Sequence, residues 1–321
     1  MARSLFHLVR NAKLERGRFN RETEPPNQSE SRYWNMKTAR IKRSPQMPLR
    51  ESIIIEGDAL TVLRRLPDEA AQCIITSPPY WGLRDYNTPD QIGLEPTLPQ
   101  FIFRLVEVFR EARRVLRDDG VFWLNVGDGY TSGNRGWRAP DKKNRARAMT
   151  VRPDTPDGLK PKDLLGIPWR LAFALQDDGW YLRADVIWHK PNAMPESVRD
   201  RPTRAHEYLF MFSKGERYFY DRDAVREVNN RNLRSVWNIN TLPFPGAHFA
   251  TFPPKLIEPC LRSSTRPGDF VLDPFFGSGT VGLVAEQLHR SYAGIELHPE
   301  YVALAAERLN ADNRTIVRVA A

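Results

Sequence analysis

Hydrophobic and polar positions follow two regimes along this chain. Through residues 1–50 polar and charged side chains dominate and no apolar period emerges, which predicts an arm without a core of its own. From residue 52 the pattern tightens. "SIIIEGDAL" predicts a strand running into a turn, and "QCIITSPPY" predicts a second strand. Between 100 and 117, Ile102, Leu105, Val106, Phe109 and Leu116 share one helical face. "GVFWLNVGD" at 120–128 reads as another buried strand. Periodicity lapses over 133–162, a stretch rich in Gly, Pro, Arg and Lys, which predicts a long surface loop of the kind that carries function. It returns as a helix near 163–177 and strands in "YLRADVIWHK" and "EYLFMFSK". A polar, irregular stretch at 221–246 and a helix at 254–264 follow. The last segment, "GDFVLDPFFGSGTVGLVAEQLHRSYAGIELHPEYVALAAERL", reads strand, glycine loop, helix, strand, helix. Strands alternating with helices predict an α/β fold with a mostly parallel sheet covered on both faces.

This divides the chain into a basic arm over 1–50 and one domain over 51–321, with Met36 and Met47 as alternative starts. No apolar run approaches the ~18 residues that a membrane helix needs, and the N-terminus lacks the apolar core of a secretory signal. A cytoplasmic protein with no membrane partner is expected. Cys73 and Cys260 form no CxxC pair, and His189, His206 and His248 lack ligand spacing, so no metal is expected. Charge adds a partner. The net +9 is segregated: residues 1–50 hold 12 Lys and Arg against 4 Asp and Glu, residues 133–162 hold 9 against 3, and the remainder is acidic. Two basic segments on an acidic body suit a polyanion, most simply nucleic acid, although a solvated tail and loop would give the same count.

Two short stretches carry chemistry. Gly277, Gly279 and Gly282 match GxGxxG between the strand "DFVLD" and the helix "TVGLVAEQL", and Glu296 ends the next strand, where an acid can hold two ribose hydroxyls. A nucleoside-containing ligand is implied. Asp273 separates the candidates: a carboxylate there repels the pyrophosphate of a dinucleotide but suits the sulfonium and ammonium of S-adenosylmethionine, whose carboxylate the glycine amides can hold. The second stretch is Ser77-Pro78-Pro79-Tyr80. Each proline fixes φ and removes a donor, which leaves the carbonyls of a stiff corner free to accept hydrogen bonds. An exocyclic amine on a nucleobase is a poor nucleophile. Acceptors aimed at its N–H groups, here the Ser77 hydroxyl and the Pro78 carbonyl, would favour a nitrogen lone pair that faces a methyl donor, and Tyr80 would stack on the base. Such a base must leave the duplex. Were the corner merely a strand end, Tyr80 and Trp81 would be exposed aromatics without a task.

"TSPPYWGL" followed by "DPFFGSGT" resembles the amino-methyltransferases of DNA, which methylate cytosine N4 or adenine N6, and the catalytic-then-cofactor order resembles their β group. The resemblance runs from "EGDAL" to "AAERL". It implies a Rossmann-like class I methyltransferase fold with a seven-stranded sheet and permuted motifs, S-adenosylmethionine as cofactor, and double-stranded DNA with a flipped base as substrate. A homodimer is compatible with it. Ser77 to Tyr80 would be the catalytic corner. Asp273, Phe275, Gly277, Gly279 and Thr280 would hold the cofactor with Glu296, joined by Phe249, Thr251 and Pro253 from "AHFATFPPKLIEP". Asp58 would lie near the cofactor's adenine, or cap a helix. SPPY points to cytosine N4 ahead of adenine N6. DNA contacts are expected from Arg135, Arg138, Lys142, Lys143, Arg145 and Arg147 in the basic loop, and target recognition from about 221–246. The loop 195–207 reads as solvated. The rival functions are a catalytically silent DNA-binding protein of the same fold and a dinucleotide-dependent oxidoreductase.

Overall fold

A computed structural model describes residues 51–82, 91–131, 155, 158–242, 252–310 and 316–319, all within one unit, Arg43–Ala321. The 1–50 arm lies outside the described residues. Among the described residues nine strands form one sheet: β1 (Ile53–Glu56), β2 (Ala71–Thr76), β3 (Leu116–Val126), β4 (Tyr181–His189), β5 (His206–Ser213), β6 (Val236–Asn238), β7 (Phe270–Asp273), β8 (Ser291–Glu296) and β9 (Ile316–Arg318). Their spatial order is β6-β4-β5-β3-β2-β7-β8-β1-β9. Seven of them make the body that the sequence predicts. The edge strands β6 and β9 are three residues each, too short to show a period.

The central strands are mostly apolar because both faces of the sheet are covered. Side chains alternate between two cores. Ile55, Ile74, Phe122, Leu124, Phe210, Phe212 and Leu272 point to one, with α1 (Ala59–Leu63), α2 (Leu98–Val115) and α3 (Ile167–Asp177). Ile54, Cys73, Ile75, Val121, Trp123, Leu209, Met211 and Val271 point to the other, with α4 (Pro254–Ser264), α5 (Thr280–Gln287) and α6 (Pro299–Arg308). The helical face predicted near 100–117 holds for Ile102 to Phe109, while Leu116 already opens β3. A capping box at Thr97 and Gln100 starts α2, with Pro99 in its first turn.

Strand direction places the functional residues. β2 and β7 are parallel neighbours, with Ile74 opposite Leu272. From β7 the chain winds outward to β8, and from β2 it winds the other way to β3, so the crevice between β2 and β7 is the switch point where such sheets bind ligands. β5 runs antiparallel to both β3 and β4. Its first residues therefore reach the same sheet edge as the last residues of β2, β3, β4, β7 and β8.

Candidate active site

The proline corner leaves β2 at this edge. Thr76, its last residue, donates from Oγ1 to Asp273 Oδ1 on β7 at 2.6 Å, and both are buried. The two motifs, nearly two hundred residues apart in sequence, are joined by one short hydrogen bond. Pro78 is buried, and Ser77, Pro79, Tyr80 and Trp81 are half-buried. Neither aromatic is an exposed side chain without a task. Trp81 Nε1 donates to the Glu95 carbonyl at 2.8 Å and packs against the first core. The Tyr80 ring lies on Gly127, where a Cβ would come within 3.1–3.2 Å of it and would press on the ring. The Tyr80 hydroxyl donates to Glu207 Oε2 at 3.1 Å. Burial, then the Glu207 charge, push this phenol well above its ordinary range, while Ser77 and the Gly127 backbone pull the other way. Tyr80 is thus a neutral donor.

Glu207 gathers the ends of three strands. It takes Tyr80, then Asn125 Nδ2 at 3.2 Å from β3, and then the Lys190 ammonium beyond β4 in a close ion pair. Lys190 also sits 4.2 Å above the Trp188 ring. The sequence offered little warning of Glu207, whose neighbour His206 drew notice only as a failed metal motif. Asn125 had a signal: it is a buried amide inside the apolar run "FWLNV".

The glycine loop follows β7. Gly277 and Gly279 have φ of +52° and +77°, which only glycine adopts freely. Gly282 serves packing: a Cβ there would lie 2.8 Å from Phe276, which stacks on Tyr292. Asp273 is 1% exposed, and burial pushes its carboxyl up to about 7, opposed by bonds from Thr76 and from the Phe275 amide at 3.0 Å. Glu296 is raised by burial as well, though it accepts from the His298 and Gly277 amides, both at 2.8 Å. Among the described residues no Lys or Arg pairs with Asp273 or Glu296. Two desolvated carboxylates beside the glycine turns fit a ligand that is cationic at one end and rich in hydroxyls nearby.

The remaining expected residues divide. Phe275 is half-buried at the loop, edge-on to Phe109. Thr280 is buried, and its hydroxyl accepts from Arg308 at 2.9 Å, tying α6 to the loop. Asp58 caps α1 through the Thr61 amide at 2.8 Å, at the end of the strand beside β8. Pro253 precedes α4 as its N-cap. Phe249 and Thr251, and Arg135, Arg138, Lys142, Lys143, Arg145 and Arg147 of the basic loop, lie outside the described residues. The loop 195–207 is largely exposed, while Arg201 stacks 3.8 Å above Tyr130 and Arg204 reaches Asp128 at 3.5 Å.

Known proteins share this arrangement. A family model described as DNA methylase matches residues 71–307. The chain belongs to the N6/N4 DNA methylase family. The type II methyltransferase M.XycI of Xanthomonas campestris pv. cyanopsidis is 68% identical to this methylase over 88% of the chain and 95% of its own length. M.Cfr9I of Citrobacter freundii is 65% identical over the same shares. Among solved structures, the PvuII DNA methyltransferase (cytosine-N4-specific) matches with a TM-score of 0.63 and 25% identity, covering 85% of this chain and 90% of that one. The M1.HpyAVI–SAM complex matches at 0.54 and 22%, covering 80% and 98%. The methylase thus has the class I methyltransferase fold, its proline corner preceding its glycine loop in sequence.

Proposed function

We propose that this methylase transfers a methyl group from S-adenosylmethionine to the N4 amine of a cytosine flipped out of duplex DNA. The observation that carries the reading is the Thr76–Asp273 bond, which holds the proline corner beside the carboxylate suited to the cofactor's cationic end. Asp273 would face that cation, the Gly277–Gly279 turn its methionine part and Glu296 its ribose, with Asp58, Phe249, Thr251, Pro253, Phe275 and Thr280 around them. The bound cofactor supplies a methyl carbon made electrophilic by its sulfonium. Ser77 and the Pro78 carbonyl would accept the amine's hydrogens, which keeps the nitrogen lone pair free, and Tyr80 would stack on the base.

Cytosine is favoured over adenine because Ser77 replaces a carboxylate at the corner and because the PvuII relative is cytosine-N4-specific. The basic loop 133–162 would contact phosphates and the 221–246 segment would read sequence. Nucleoside mass spectrometry of DNA from cells expressing the protein tests the reading. N4-methylcytosine supports it, N6-methyladenine replaces the base, and unmodified DNA would leave a silent binding protein.

A further inference from the structure

We infer that Glu207, braced by Lys190 and Asn125, is a positioning residue that fixes the Tyr80 ring against the extruded base. The inference rests on Tyr80 being the ring that stacks on that base, and it adds the device that holds the ring. Three donors converge on one carboxylate. The Lys190 ammonium takes Oε1, while the Tyr80 hydroxyl and the Asn125 amide share Oε2 at 3.1 and 3.2 Å. The four residues come from four neighbouring strands, in the spatial order β4-β5-β3-β2: Lys190 follows β4, Glu207 lies at the start of β5, Asn125 near the end of β3, and Tyr80 beyond β2. The braces are themselves held. The Lys190 amide donates to the Ala205 carbonyl at 2.7 Å, its ammonium lies 4.2 Å above the Trp188 ring, and Asn125 Nδ2 also donates to the Tyr208 carbonyl at 3.1 Å.

Stability alone does not call for this arrangement. The Lys190 and Glu207 side chains are 17% and 16% exposed, and an ion pair so far removed from water holds a fold no better than apolar side chains of similar volume. What it supplies is one geometry. A tyrosine beyond a strand end can swing between rotamers. A bond at the hydroxyl stops that swing, and Gly127 backs the hydroxyl end of the ring from β3. A carboxylate suits the task because its two oxygens answer all three donors, whereas an amide offers one oxygen and brings two hydrogens of its own. The stacking surface is thus set by β3, β4 and β5, and the cofactor's carboxylates and glycine loop by β7 and β8. Methyl transfer needs the amine nitrogen in line with the methyl carbon, and a misplacement of about 1 Å costs on the order of 100-fold in rate. Glu207 therefore acts through Tyr80 and not on the reacting atoms.

The test uses the full-length protein, unmethylated plasmid DNA and tritiated S-adenosylmethionine. Glu207→Ala removes the anchor, and Tyr80→Phe cuts the same tether from the other end while keeping the ring. Each is expected to lower kcat about 10- to 100-fold, with KM for DNA and for the cofactor unchanged. The double variant should be no slower than the slower single one, because both changes break one contact. A carboxylate that merely supported the fold would cost the same in the Tyr80→Phe background as in the wild type. Should Glu207→Ala fail to fold, Tyr80→Phe alone carries the same expectation. Additive losses, a wild-type kcat in Tyr80→Phe, or a loss confined to KM would overturn the clamp. Tyr80→Ala separates this from the underlying reading. A wild-type rate there would remove Tyr80 from the base altogether, whereas an inactive Tyr80→Ala beside fully active Tyr80→Phe and Glu207→Ala would sink the clamp alone.

Discussion

The Thr76–Asp273 bond predicts how cofactor affinity should follow pH. Burial lifts Asp273 from 3.8 to about 7, so ionising it in the folded protein costs on the order of 4 kcal/mol more than in water. A cationic ligand needs the ionised form. Affinity for S-adenosylmethionine should then be about tenfold weaker at pH 6 than at pH 8, with the break near 7. Thr76→Val removes the 2.6 Å donor while keeping the shape. A hydrogen bond to a charged group is worth roughly 1.5–3 kcal/mol, which moves the break upward by about one to two pH units. Thr76→Ser should restore it. Calorimetric titration of the three proteins between pH 6 and 9 decides the matter. A dissociation constant flat from pH 6 to 8, or a Thr76→Val loss of equal size at every pH, would refute the reasoning.

Other outcomes follow from the same geometry. Asp273→Asn should abolish cofactor binding yet raise the melting temperature of the ligand-free protein at pH 8. The raised pKa means that the folded state holds a proton the unfolded state lacks between about pH 4 and 7; the cost is complete above that window and absent below it, so the gain should vanish by pH 4. Gly127→Ala presses on Tyr80 and should cut methylation at least tenfold, with cofactor affinity unchanged by calorimetry. Gly294→Ala would set a Cβ 2.2 Å from the Phe276 ring, and a loss of about 3 kcal/mol in urea denaturation is expected. Neutralising Arg145 and Arg147 should reduce the slope of log affinity for DNA against log salt by about 2, measured by fluorescence anisotropy.

The long elements and both motifs could be read from the chain because their patterns are local. "FVLD", "PFFGSG" and "YAGIE" name a strand, a turn and a strand without help from anything distant. The misses share a physical cause. The β6 strand exists only because β4 offers an edge to pair with, and nothing in three residues announces that. The cover of the corner's aromatics comes from distant segments that no local pattern names: Gly127 after β3 and the Glu95 carbonyl ahead of α2. Glu207 reaches Tyr80 only because β5 runs against its neighbours, a direction no sequence period encodes. The basic loop at 195–207 is largely exposed, as its charge implies, and what a charge count leaves out is the stacking of Arg201 on Tyr130.

The first strand, β1, pairs on one side with β8 and on the other with β9, both from the far end of the sequence. A linker could join β9 directly to β1, and the chain could be reopened between β6 and α4. The reordered gene would encode the glycine turn ahead of the proline corner while every backbone pairing in the sheet stayed as it is. Which half is synthesised first is therefore a matter of genetics, and the chemistry at the crevice is indifferent to it.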